Sequence, residues 1–196
     1  MSQPLPESIG VGLKEWATVV GAMGDGNQVV LLRKGGIYES AGEFEVEHRE
    51  FVYFPTYLHQ SLNQLKPAYH AGFTAHSAEP SRVTLGVAGR VTDIIQLKSR
   101  EQMDELDDQH IWAPPLLDMR FNYKPANPLY LLIVRAWRLA APVTVENTPA
   151  YAGCKSWVPL ERAVETGGAT VALEDTDFQT KREVIRARLS GEWTGF

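Results

Sequence analysis

The chain has 196 residues, 44% hydrophobic and 22% charged, with a net charge of −5, which suits a globular core and argues against a protein that coats nucleic acid non-specifically. Its longest apolar run, Leu129 to Trp137, is interrupted by Arg135 and is too short to cross a bilayer, so no membrane partner is expected. A single cysteine, Cys154, excludes an internal disulfide framework, and the opening MSQPLPESIG lacks the basic and apolar stretches of a secretory leader, so a reducing cytoplasmic setting is expected.

Residues 1–12 read as a flexible arm with two prolines and no periodicity, ahead of one α+β domain over 13–196. Leu13 to Met23 suits a helix by its Leu13, Trp16, Val20 and Met23 spacing and a strand by Thr18-Val19-Val20, and both stay open. QVVLLRKGG predicts a strand ending in a Gly35-Gly36 turn, and FEVEHREFVYF a strand over 44–54 that Pro55 ends. TYLHQSLNQLKPAYH predicts a helix from Leu58, Leu62 and Leu65. RVTLGVAGRVTDIIQLK predicts a long strand, its Gly86 and Gly89 marking a bulge or bend. A short acidic helix follows Ser99, with Gln102 placed as in a capping box. MRFNYKPANPLYLLIVRAWRLAAPVTV predicts two or more strands around the PANP turn, YAGCKSWVPLERAVETGG loop and short helix, and the tail a helix over about 176–190.

Among groups that carry chemistry, FEVEHREF is the densest. Alternation along one strand sets Glu45, Glu47, Arg49, Phe51 and Tyr53 on a mixed, solvent-side face and His48 with Glu50 on the apolar face. His48 as general base, with Glu50 as its orienting partner, is the candidate catalytic pair. His48, His59, His70, His76 and Cys154 show no short ligand spacing, so neither a metal nor a cofactor is expected. Asp93, Gln96 and Lys98 form a weak match to the acidic and Gln-x-Lys residues of metal-dependent endonucleases, with Asp93 on the opposite strand face. Arg33 and Lys34 before the double glycine suit an anion. Between His110 and Leu160 five Lys/Arg stand against two acids, a net of +3, which leaves room for a basic face around Arg120 and Lys155. Trp112 and Trp157 sit beside polar residues in loops, where a base-stacking wall could be built.

LKEWA, QVVLLRKGGI, FEVEHREFVYFPTY, HIWAPP, MRFNYKP, PLYLLIVRAWRL and YAGCKSW resemble, over residues 13 to about 160, a family of uncharacterised bacterial proteins known as domain of unknown function 1802. The family has no established activity; the joining of some members to a restriction-endonuclease domain implies a link to restriction–modification. KEWATVVGAMGDGNQVVLLR is also similar to the opening of ASCH domains, with Glu15 where those have proline. RVTLGVAGRVTDII and LYLLIVRAWRLAAPVTV are similar to core strands of EVE and ASCH domains, most clearly over 82–146. This likeness implies a mixed, strand-rich PUA-like pseudobarrel with flanking helices. It also implies a cleft for DNA or RNA carrying a modified base, with Lys14, Trp16 and Arg33 at its mouth. Three readings follow. One is nucleic-acid or modified-base recognition through Lys14, Trp16, Arg33, Lys34, Trp112, Arg120, Lys155 and Trp157. The second is a small nucleotide or nucleoside hydrolase using His48 and Glu50. The third is a structural or protein-interaction domain.

Overall fold

The computed structural model describes residues 3–34, 38–40, 43–45, 48–71, 73–153, 155–189 and 193–195. The Gly35-Gly36 turn, Glu47 and Cys154 lie outside them. In chain order the elements are β1 (Ser8–Trp16), α1 (Ala17–Gly24), β2 (Val30–Arg33), β3 (Tyr38–Ser40), β4 (Glu43–Glu45), β5 (Glu50–Thr56), β6 (Arg82–Leu97), α2 (Glu101–Asp104), α3 (Pro114–Asn122), β7 (Leu129–Glu146), β8 (Trp157–Glu165), β9 (Thr170–Val171), α4 (Asp175–Arg188) and β10 (Trp193–Gly195).

The β-branched stretches 82–97 and 129–146 pair along their whole length as antiparallel β6 and β7. Two register shifts, at Leu85/Val87 and at Val91/Asp93, bend the ladder. The first falls on Gly86, as predicted. Gly89 serves packing instead: it lies opposite Phe51, and a Cβ there would sit 2.9 Å from the Phe51 ring and from Val134. Around this hairpin the sheet runs β2-β7-β6-β5-β1-β8, with β9 on β7 and β10 on β6. The β1–β5 pair is parallel and the other pairs antiparallel. Among the described residues no pairing joins β2 to β8, so the sheet is open. With helices flanking it, the chain is the mixed, strand-rich α+β protein expected. No described helix is long and apolar enough to cross a membrane.

Both sheet faces are covered. The larger core takes Leu13, Phe51, Tyr53, Val91, Leu131 and Ile133 from the strands, with Met23, Leu117, Phe178 and Ile185 from the helices. The smaller takes Ile9, Val52, Phe54, Leu85, Val158 and Val164.

Several elements differ from expectation. Leu13–Met23 is divided, strand to Trp16 and helix from Ala17. The arm expected over 1–12 is tied down from residue 3: Arg90 donates to the carbonyls of Gln3 and Pro4, Thr166 to those of Pro6 and Glu7, and β1 starts at Ser8. Distant side chains hold it, so local periodicity carries no trace of them. The stretch expected as a helix forms two 3₁₀ turns, Leu62–Gln64 and Pro67–Tyr69, with Leu58 and Leu65 in neither. His59 at φ 66° and Pro67 both interrupt an α-helix. Residues 119–122 end α3 instead of starting a strand, because Pro114 and Pro115 preset its first turn and Leu116 and Leu117 bury. β8 replaces the expected loop and short helix; Pro159 is tolerated because β8 ends the sheet path. The strand expected over 44–54 is two elements, with His48 and Arg49 in neither. Both sheet faces are covered, so Phe51 and Tyr53 on the larger core and Val52 and Phe54 on the smaller are all buried, and the solvent face expected for Phe51 and Tyr53 is absent.

Two buried polar groups fasten the helices. Asp93, 0% exposed, accepts from Arg182 at 2.6 and 2.9 Å, with Arg186 at 3.8 Å, and so pins α4 to β6. This removes the endonuclease-like reading of Asp93, Gln96 and Lys98, since the carboxylate is spent inside while Gln96 and Lys98 are exposed. Asp93→Ala removes the buried anion that two partly exposed guanidinium groups hold, and should cost ~1.5–3 kcal/mol. Urea unfolding measures this, and a change of only a few tenths would mean that the pair is not what holds α4. His110, buried between α2 and α3, titrates at about 4 instead of 6.5, first because burial disfavours imidazolium and then because Lys66 is a like charge. The unfolded chain therefore takes up the proton more readily. This contribution is fully present above pH 6.5 and is lost as pH falls toward 4, on the order of 3 kcal/mol in all. Unfolding midpoints from pH 7 to 4 should fall steeply in the wild type and less in His110→Gln; parallel profiles would assign the loss to other groups.

Candidate functional site

At its carboxyl end β1 reads Lys14-Glu15-Trp16. The apolar alternation Ile9, Val11, Leu13 carries Glu15 inward, and it is only 6% exposed. A buried carboxylate needs partners. Glu15 accepts from Arg33 at 2.8 Å and from the Trp16 N–H at 2.8 Å. Arg33 ends β2, and the same guanidinium donates to the Lys14 carbonyl at 3.1 Å. One side chain thus connects strands that stand four places apart in the sheet.

Beside this pair is a void of about 10 Å³ lined by Glu15, Trp16, Leu32, Trp112, Leu116 and Arg120. Trp112 enters through a bridge to Leu65, and Leu116 and Arg120 come from one face of α3. Lys34 donates to the carbonyls of Arg120 and Phe121 at 3.2 and 2.9 Å, seating a cation at the end of α3. The Nε atoms of Arg33 and Arg120 and the Tyr53 hydroxyl are buried without a hydrogen-bond partner, each at a cost of ~1–3 kcal/mol. Burial first, and then the Glu15 charge, push the Tyr53 hydroxyl well above its ordinary range, so it stays a donor. A void of this size takes one water-sized atom, not a nucleobase.

A second cleft, of about 540 Å³, is lined by Gly10, Val11, His48, Trp157 and Pro159. The His48 and Trp157 rings lie 5.3 Å apart at 77°, and Phe51 meets Trp157 at 5.5 Å. Trp157 is set by its register with Leu13. Lys14 donates to the carbonyls of Tyr151 and Gly153, so it holds the approach to Trp157. Lys155 is exposed next to that approach.

The candidate residues therefore fall into two groups. Trp16, Trp112 and Arg120 line the small void, with Arg33 bound to its Glu15 and Lys34 as buttress. His48 and Trp157 meet at the wide cleft, flanked by Lys14 and Lys155. The catalytic pair is not assembled: Glu50 faces Arg90 in the β5–β6 ladder and holds it at 2.8 Å, so it is not the orienting partner of His48. The +3 stretch is not a basic face either. Arg135, 3% exposed, is spent on Asp175, and Arg138 donates to the Gly24 carbonyl. Among the described residues no group of three or more His, Cys, Asp or Glu side chains comes together.

Glu15 and Tyr53 escaped the sequence reading. Glu15 carried a signal, since it continues the buried alternation of β1. Tyr53 carried none, because alternation does not reveal that both faces of its strand are covered. Glu15→Gln should leave Arg33 and Arg120 without their anion and cost ~3–5 kcal/mol. Thermal and urea unfolding test this; an unchanged midpoint would show that solvent screens both guanidinium groups.

No curated protein and no solved structure matches the chain. One family model does, described as a domain of unknown function, and its match covers residues 12–184. The span takes in β1 from Gly12 onward, β2, β5, α3 and Trp157, and leaves Gly10 and Val11 of the wide cleft just outside it. The chain belongs to this family, DUF1802.

Proposed function

We propose that the protein recognises nucleic acid by taking an unstacked base of DNA or RNA into the Trp157–His48 cleft. One observation carries this reading: an open cleft of about 540 Å³ with an aromatic wall, within the size range of small-ligand sites. A base needs an aromatic platform and a few polar edges, and stacking is tolerant of sequence. Trp157 supplies the platform and His48 an edge donor or acceptor. Lys155, exposed beside the cleft, is placed for the backbone. Reading a modified base next to a restriction–modification system is the setting this chemistry fits, and the PUA-like likeness of the strands agrees with it.

The net charge of −5 and the internal use of several arginines limit the phosphate contacts to one or two. Binding to short single strands should therefore weaken only shallowly with salt, with a log–log slope of about −0.7 per phosphate contact. Fluorescence titration with plain and modified single-stranded DNA and RNA at low salt is the measurement. Trp157→Ala should lower affinity by about 5- to 150-fold, the equivalent of ~1–3 kcal/mol of stacking. Absence of binding by every oligonucleotide, or full affinity in a folded Trp157→Ala protein, ends the proposal.

A further inference from the structure

A different site is built at the small void, and its chemistry does not depend on the wide cleft. Two guanidinium groups, Arg33 and Arg120, share one nearby carboxylate. Glu15 is already used, by Arg33 through one oxygen and by the Trp16 N–H through the other. The Arg120 guanidinium donates to no described residue, and its Nε is buried. The Nε of Arg33 and the Tyr53 hydroxyl, with Tyr53 0% exposed, are likewise buried and unpartnered. The orphaned atoms on all three side chains are hydrogen-bond donors, and the arginines outnumber the carboxylate by one. A folded protein rarely leaves such a group uncompensated unless something outside the chain completes it.

We propose that this void is an oxyanion seat, which takes one oxygen of a phosphate or sulfate group against Arg120. The size agrees: about 10 Å³ admits one oxygen-sized atom and leaves the remainder of the anion outside. The walls are Trp16, Trp112, Leu32 and Leu116, with Glu15 the one acidic side chain, its two oxygens already taken by Arg33 and the Trp16 N–H; Arg120 is the donor that lines the void, and Arg33 and Tyr53 do not reach its lining. Charge-assisted bonds of guanidinium to an oxyanion are strong in such surroundings. Lys34 fixes the backbone of Arg120 and Phe121 and so holds the donor in position. The anion has two sources, free inorganic phosphate or a phosphodiester of nucleic acid, and both present the same oxygen.

The test uses the full chain in an anion-poor buffer, titrated with inorganic phosphate at constant ionic strength, reading Tm and tryptophan fluorescence. Phosphate also stabilises proteins by exclusion from their surface, so the informative quantity is the difference between wild type and Arg120→Met. At phosphate 100-fold above its Kd the wild type should gain about 5–10 °C more than the variant. Without phosphate, Arg120→Met should melt about 2–4 °C higher than wild type, because it removes an uncompensated charge. A purely structural arginine predicts the reverse, a less stable variant with the wild-type response to phosphate, and that result overturns the seat. Arg120→Lys, which keeps the charge but loses the fork, should fold and respond more weakly; an undiminished response would also overturn it. An oligonucleotide arm separates the sources. If phosphate displaces a bound strand, the seat takes its phosphodiester; if phosphate binds without displacing it, the seat takes the free anion. Because the base-binding proposal is tested by Trp157→Ala, either proposal can fail while the other stands.

Discussion

The contact between Arg33 and the end of β1 is the constraint on which the molecule's working end depends. Strand pairing leaves β2 and β1 separated by β7, β6 and β5. One guanidinium spans that opening, bonding the Glu15 carboxylate and the Lys14 carbonyl together. A lysine could not do both with the same geometry, since only the planar fork offers donors in fixed directions. The link is buried, at 11% and 6% side-chain exposure, so solvent does little to loosen it. It sets the spacing between Trp16 and α3, and therefore the size of the void.

Arginine–carboxylate pairs recur as struts elsewhere. Arg90 with Glu50 joins β6 to β5, Arg182 with Asp93 joins α4 to β6, and Arg135 with Asp175 joins β7 to the start of α4. Arg90 and Arg135 also stand near the Trp137 ring, at 5.4 and 5.7 Å. Much of the basic character of the sequence is consumed in this way. A count of Lys and Arg along the chain overstates the positive surface, because such a count cannot distinguish a strut from a free charge. Arg120 differs from these arginines in having no carboxylate of its own among the described residues.

Fold class and the long strands were legible because β-branched runs with punctuating glycines leave few alternatives, as Arg82–Leu97 shows. Of the residues expected at one cleft, Trp16, Trp112 and Arg120 line the small void and Trp157 the wide one, a division that no local pattern in the sequence encodes. What failed depended on long-range pairing. Parity along 44–54 assumed one unbroken strand with a wet face, whereas the strand is divided and both faces of β5 are covered by core. The partner of Glu50 lies in β6 and follows from register, which local pattern does not encode. Leucine spacing at 58, 62 and 65 imitates a helix, but Leu62 is 42% exposed while Leu65 is buried. No single helical face accounts for both.

The placement of β1 also bears on how the chain assembles. Its two neighbours are β5 and β8, and the segment before it is held by Arg90 and Thr166. One edge is matched by residues 50–56, whereas the other stays unmatched until residues 157–165 reach it. Closing such distant contacts is entropically slow. Until then the β8 side of β1 is an unpaired edge, open to intermolecular pairing.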